Sequence, residues 1–189
     1  IINSANVACG FHAGDNKTMK MVIKTSKKNG VSIGAHPSFN DPENFGRKRI
    51  NLNSSEIKKL IIDQYVILQN FAQEQNEKVT HIKPHGALNN MACEDLELAT
   101  TLANTIYAID KDIIYLVPTG SKMEVAAKKL NMSMDKLIVT IGEQGNTSAA
   151  SIPLALDFGI KQKKIKPGHL ILMEAFGGGF TWGSALIRI

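Results

Sequence analysis

Short β-rich runs alternate with amphipathic helical stretches over the first 130 residues, and this alternation constrains the fold more than any other feature. Repeated strand–helix units of this kind favour a parallel sheet with right-handed crossovers. In such folds the reactive groups lie beyond the carboxyl ends of the strands. The predicted strands are Ser4–Ala8, Val31–His36, Thr80–His85 and Ile113–Val117. The predicted helices are 15–30, a long helix after Asn53, Glu94–Ile109 and Lys122–Leu130.

Local signals mark the ends of two of these helices. Asp15 is placed to cap the first helix, and Gly30 supplies the positive φ that stops it. Asn53 and Glu56, three residues apart, form the pattern of a capping box. Helical spacing predicts buried stripes of Met19, Val22, Ile23 and Ser26 in the first helix, and of Ile57, Leu60, Ile61, Leu68 and Phe71 in the second.

The last part of the chain has a different pattern, and the change falls near residues 132–136. A strand is predicted at Leu137–Ile141, followed by a helix over Thr147–Ile160 that Pro153 breaks early. Two apolar strands, Leu170–Ala175 and Thr181–Ile189, are joined by three glycines at 177–179. A short glycine-rich connection of this kind predicts an antiparallel hairpin, although it also allows a ligand to approach the backbone.

Composition argues against two classes of partner. The net charge is +5, but lysines cluster only at Lys24–Lys28 and Lys161–Lys166, with no interleaved aromatic residues. We therefore expect a solvated basic face and no nucleic-acid partner. No apolar run approaches the ~20 residues that span a bilayer, so we expect no membrane partner.

Length and cysteine content set further bounds. A chain of 189 residues suits one domain or one and a half. Cys9 and Cys93 are too few for a disulfide framework, which favours a reducing cytoplasm. The chain opens on Ile1 with no pattern of a signal peptide, and we expect it to be a fragment or a processed product.

Three of the five histidines, His12, His36 and His85, lie at or just past the ends of predicted strands. Because these ends share one edge of a parallel sheet, we expect the imidazoles to face a common site. Imidazoles there can ligate a divalent metal, act as general acid and base, or hold a carboxyl group. Alternatively, they hydrogen-bond loop carbonyls and have no chemical role.

Charged residues lie close to the histidines in sequence. Asp15 and Lys83 are within three residues of one histidine each, and Arg47 follows a glycine in the intervening loop. Cys9 is a candidate nucleophile, but its small and apolar neighbours favour a buried thiol that acts as a small hydrophobe.

The motifs that carry these residues resemble those of the LamB/YcsF family, the A subunit of prokaryotic 5-oxoprolinase. They are Ala5–Asp15, Gly34–Ser38, Phe45–Arg47 and Lys83–Leu88, and the resemblance covers roughly residues 1–130. It implies a distorted (β/α) barrel related to sugar deacetylases, ATP-dependent opening of 5-oxoproline to glutamate, and partner B and C subunits. By this resemblance the catalytic residues are His12, Asp15, His36, Arg47, Lys83 and His85.

The resemblance also implies roles for these groups. Phosphorylation of the lactam oxygen makes the ring carbon electrophilic, and Lys83 and Arg47 are suited to stabilise the charge. Asp15 or a histidine is suited to position water. The family's first strand and its distal motifs have no counterpart in this chain, and Asn89 replaces the usual tyrosine. We therefore expect an incomplete barrel and impaired activity.

The tail resembles a second family, the carboxyl end of β-ketoacyl-acyl-carrier-protein synthase III, from about Ala126 to Ile189. Asn146 matches the catalytic asparagine of that thiolase-like fold, where it would donate to an oxyanion, whereas spacing alone favours a helix N-cap. The family's histidine motif is replaced by Pro118–Ser121, and the cysteine-bearing half has no counterpart. The resemblance implies acyl transfer to acyl carrier protein as the alternative function.

Both resemblances meet near Leu130, within a short helical sequence that we expect the two families to share. The sequence predicts an α/β chimera: an incomplete LamB/YcsF-type (β/α) barrel over 1–130, followed by a thiolase-like strand–helix–hairpin segment over 131–189. An inactive chimera is the third hypothesis, because each part lacks some of its catalytic groups.

Overall fold

A computed structural model describes residues 4–130, 151–176 and 182–189. The chain divides into two compact units, Ile1–Met132 and Ser133–Ile189. Asn146, the predicted strand Leu137–Ile141 and the three glycines at 177–179 lie outside the described residues.

The first unit contains a four-stranded parallel sheet in the order β1-β2-β3-β4. In this register Ala8 pairs with His36, and Gly34 pairs with His81. The parallel α/β architecture expected from the alternating pattern is confirmed for these residues. The strands are β1 (Ser4–Ala8), β2 (Ser32–His36), β3 (Val79–Ile82) and β4 (Ile114–Tyr115).

Five helices accompany this sheet. Asp15 caps α1, with its carboxylate accepting a hydrogen bond from the Thr18 amide at 2.6 Å. The capping box of Asn53 and Glu56 opens α2. The helices are α1 (Asn16–Lys28), α2 (Ser54–Gln73), α3 (Gly86–Glu94), α4 (Leu96–Ile109) and α5 (Lys122–Lys129).

Three predicted bounds were wrong. β3 ends at Ile82, not at residue 85, because Pro84 has no amide to donate on the β4 side, although the Lys83 amide still donates to the Ala35 carbonyl of β2. The predicted helix 94–109 is the second of two helices, and the extended Asp95 separates them. Its carboxylate caps α4 by accepting from two backbone amides, so it ends one helix and starts the next. β4 spans two residues, not five.

The two faces of the sheet differ in character. Ile33, Ala35 and Ile82 are buried in the apolar core. Since strand side chains alternate, Gly34 and His81 lie on the opposite face. A Cβ on Gly34 would come within 2.0 Å of the His81 Nε2 atom, so only glycine accommodates this imidazole.

Helices supply most of the core on the first face. The predicted stripe of α2 is confirmed, with Ile57, Ile61 and Leu68 almost fully buried. Leu102 and Ile106 of α4 are fully buried as well. Burial of each such side chain contributes about 1.5–3 kcal/mol.

The second unit contains α6 (Ser151–Lys161), β5 (Leu170–Phe176) and β6 (Trp182–Arg188). β5 and β6 pair antiparallel, with Leu170 opposite Arg188, so the predicted hairpin is confirmed. Pro153 lies within the described helix and does not break it, and residues 147–150 of the predicted helix lie outside the described residues. None of the helices within the described ranges is long and apolar enough to cross a membrane.

The Asn53 cap provides a test of the first unit. We expect Asn53→Ala to lower the free energy of unfolding by about 1 kcal/mol, because the first-turn amides of α2 lose their acceptor. Urea unfolding followed by circular dichroism measures this. The matched control is Asn70→Ala, at an exposed position inside the same helix. Equal stability of the two variants would contradict the capping role.

Candidate functional site

The three strand-end histidines meet in space. His12 lies in the loop after β1, His36 is the last residue of β2, and His85 immediately precedes α3. The His12 and His85 rings are stacked with centroids 4.3 Å apart. The His36 centroid lies 4.7 Å from that of His85 and 5.9 Å from that of His12. We call these three residues the histidine cluster.

Backbone carbonyls hold two members of the histidine cluster. His36 Nδ1 lies 2.6 Å from the carbonyl oxygen of Lys83, and His85 Nε2 lies 3.0 Å from that of Phe45. A carbonyl only accepts, so these two nitrogens carry the protons. In the neutral rings the lone pairs therefore belong to His36 Nε2 and His85 Nδ1. The rings therefore cluster as expected and two of them also bind loop carbonyls, and the chemical role of the histidine cluster stays a prediction.

Burial keeps the histidine cluster uncharged at neutral pH. Desolvation, together with the neighbouring His85, lowers the pKa of His12 to about 4 and that of His36 to about 3. Desolvation also lowers the pKa of His85. Neutral imidazoles can accept hydrogen bonds from water or a substrate N–H, which a cationic cluster cannot do.

The loop over 41–48 closes one side of the histidine cluster. Phe45 has a left-handed φ of 54°, and its ring is edge-on to His12 and His85, with centroids 5.4 and 5.1 Å away. Gly46 lies so close that a Cβ there would be 2.1 Å from the Ser38 hydroxyl. Arg47 places its guanidinium carbon 5.7 Å from the Phe45 ring centroid. The loop thus brings an aromatic ring and a cation to the cluster.

Gln64 supports the histidine cluster from α2. Its side chain is fully buried, and its oxygen accepts from the Ser38 amide at 3.0 Å. Its nitrogen donates to the carbonyl oxygens of Ser38 and Leu60 at 2.8 and 3.1 Å. Sequence reasoning missed this residue. The sequence did indicate its burial, because Gln64 lies four residues after Leu60 and four before Leu68 on the buried stripe of α2.

His81 is a second residue that sequence reasoning missed. It is buried within β3, and its Nδ1 lies 2.9 Å from the Thr80 hydroxyl. Its Nε2 is buried without a hydrogen-bond partner among the described residues, and burial lowers its pKa. The available signal was the alternation of strand faces, which places His81 on the same side as Lys83.

Lys83, Asp15 and Cys9 are the remaining candidate residues, and each lies in a different environment. Lys83 directly follows β3, and its charge contributes to the lowered pKa values of His36 and His85. Asp15 is exposed and caps α1, which confirms its structural role and leaves its catalytic role a prediction. Cys9 is the buried thiol expected from its neighbours, and burial raises its pKa to about 12, which makes it a poor nucleophile.

The metal hypothesis gains no support from this geometry. Across the described ranges, no group of three or more His, Cys, Asp or Glu side chains is arranged to hold a metal ion.

The structure describes a parallel α/β protein with a neutral histidine cluster at the carboxyl edge of its sheet. The model of the LamB/YcsF family matches residues 1–140. The chain belongs to this family. A second model, of the 3-oxoacyl-[acyl-carrier-protein] synthase III C terminal, matches residues 109–189 and overlaps the first.

Similar proteins point to the same family. The 5-oxoprolinase A subunit of Nitrobacter hamburgensis is 44% identical over 135 residues, which cover 71% of this chain and 53% of that protein. The A subunit of the Natranaerobius thermophilus enzyme is 42% identical, with 71% and 52% covered. The crystal structure of a lactam utilization protein from Thermus thermophilus matches with a TM-score of 0.67 and 35% identity, covering 69% of this chain and 53% of that one. The chain spans about half the length of the curated relatives it matches.

The lowered histidine pKa values predict a pH-dependent stability. In the unfolded chain His12 and His36 titrate near 6.5, whereas in the fold they titrate near 4 and 3. The unfolded state therefore binds more protons below pH 6.5, and stability falls as pH decreases from 7 to 5. Each histidine contributes at most about 1.4 kcal/mol per pH unit. Urea unfolding at both pH values measures this.

The double variant His12→Asn/His36→Asn is the control for this effect. We expect its stability to change less between pH 7 and pH 5 than that of the wild type. Equal slopes in the two proteins would contradict the assignment.

Gln64 provides a further test. Gln64→Met leaves the buried amide and carbonyl of Ser38 without partners, so we expect a loss of about 2–5 kcal/mol in the free energy of unfolding. The control is Gln73→Met at an exposed position of the same helix. Denaturant titration compares the two, and a similar small loss in both would show that Gln64 is dispensable.

Proposed function

We propose that the chain acts as the A component of a 5-oxoprolinase, taking part in the ATP-dependent opening of 5-oxoproline to glutamate together with B and C subunits. The observation that carries this proposal is the uncharged histidine cluster within the part of the chain that matches the family. The names of the similar proteins support the same assignment, since they are A subunits of 5-oxoprolinase.

The chemistry requires activation of an inert amide. Transfer of the terminal phosphoryl group of ATP to the lactam oxygen releases ADP and makes the ring carbon electrophilic. Water adds to this carbon, the C–N bond breaks and the ring nitrogen takes a proton, which gives an acyl phosphate. A second water releases phosphate and leaves glutamate. The site must therefore orient water, accept a proton and stabilise negative charge.

We assign these tasks to the residues of the site. His12 and His36, with pKa values of about 4 and 3, are weak bases at neutral pH and orient water by accepting hydrogen bonds. His85 accepts the proton of the attacking water at Nδ1, since its Nε2 proton is held by the Phe45 carbonyl. Lys83 and Arg47 stabilise the charge on the phosphorylated oxygen. Asp15 is the alternative group for positioning water.

We propose that residues 4–130 form part of a (β/α) barrel, since they contain a parallel strand–helix sheet and match the family.

Glutamate release tests the proposed reaction. The chain is mixed with the B and C subunits of a curated relative, ATP and 5-oxoproline. We expect ATP-dependent glutamate formation with this chain and none with His85→Gln, because the base that accepts the proton is lost. Lys58→Gln, an exposed change on α2, is the control. Glutamate formation no faster than with B and C alone would refute the proposal.

Acyl transfer is the second candidate, favoured by the match of residues 109–189 to the synthase III C terminal. Asn146 is the residue we propose for the oxyanion, with acyl carrier protein as partner. Incubation with acyl-CoA followed by intact-protein mass spectrometry tests it. An acyl adduct would favour this function, and an unchanged mass after full incubation would rule out a covalent acyl-enzyme.

A further inference from the structure

Asp41 organises the loop that contacts the histidine cluster, although it is not part of the cluster. Its side chain is 7% exposed. One carboxylate oxygen accepts from the Asn44 amide nitrogen at 2.7 Å, and the other accepts from the Lys48 backbone amide at 3.1 Å. Its carbonyl oxygen also accepts from the Gly46 amide at 2.8 Å. Asp41 therefore joins the beginning, middle and end of the loop.

These bonds hold a loop that is costly to form. Phe45 adopts a left-handed φ of 54°, which is unfavourable for a side chain of this size. Such a conformation persists only where the surroundings impose it. The hydrogen bonds of Asp41 flank Phe45 on both sides, through Asn44 and Gly46.

The strained residue is the one whose carbonyl faces the histidine cluster. Phe45 accepts the Nε2 proton of His85 at 3.0 Å, and the next carbonyl, of Gly46, accepts from the Ala87 amide at 2.8 Å. The first bond orients the imidazole, and the second ties the loop to the start of α3. By contrast, His36 is held by the Lys83 carbonyl, which does not belong to this loop.

We propose that Asp41 is a positioning residue, which acts through the Phe45 carbonyl to fix the His85 ring with Nε2 protonated and Nδ1 available as a base. This role rests on the function proposed above for His85, but the hydrogen bond itself can be tested without any turnover. Asp41 touches neither the imidazoles nor a substrate in this role.

The His85 Nε2 proton provides the direct test. In protein labelled with ¹⁵N-histidine, a proton held by a carbonyl exchanges slowly enough to give a cross-peak, and His85→Gln and His36→Gln identify the peaks of His85 and His36. In Asp41→Ala we expect the His85 peak to disappear while the His36 peak remains. The surface variant Asp63→Asn is the control and keeps both.

A reciprocal exchange separates positioning from general folding. Asp41→Asn replaces a charged acceptor by a neutral amide, so we expect weaker hydrogen bonds to the loop and a weaker His85 peak. Asp41→Asn combined with Asn44→Asp returns a carboxylate acceptor to the same contact, so we expect the peak to return. An unchanged His85 peak in Asp41→Ala would overturn the proposal. So would loss of both histidine peaks that the reciprocal exchange does not restore.

Kinetics distinguish failure of this proposal from failure of the proposed function. With B and C subunits, we expect Asp41→Asn to lower kcat for 5-oxoproline about ten- to a hundred-fold with little change in KM. We expect the reciprocal exchange to recover most of the loss. If the wild-type chain shows no turnover, the proposed function fails, while the cross-peaks still decide the role of Asp41.

Discussion

The parallel pairing of β1, β2 and β3 is the constraint on which the site depends. Ala8 at the end of β1 lies beside His36 at the end of β2, and the Lys83 amide donates to the Ala35 carbonyl just past β3. Because parallel strands end at one edge, histidines that are far apart in sequence are brought together there. A shift of one residue in any strand would turn its side chains to the other face and take the cluster apart.

The polar supports of the site are themselves buried, and this determines its chemistry. Gln64 holds the backbone after β2, and Asp41 holds the loop above His85. The enclosure that they maintain removes water from the imidazoles, which lowers their pKa values and keeps them neutral. A single arrangement therefore accounts both for the order of the site and for the neutral state of its imidazoles.

The match to the LamB/YcsF family bears more directly on the site than the match to the synthase III C terminal does. The first match covers the histidine cluster and every charged residue predicted near it. The second covers the tail, where β5 and β6 form the predicted hairpin.

Periodicity and capping are local properties, so the sequence alone predicted the parallel α/β class, the two caps and the position of the histidines at or past the strand ends. It missed the break at Asp95, where a residue that caps one helix also ends another. The protonated nitrogen of His85 and the hydrogen-bond partners of Gln64 and Asp41 became evident only in the fold. These depend on contacts between segments far apart in the chain, such as Phe45 with His85, which no local pattern records.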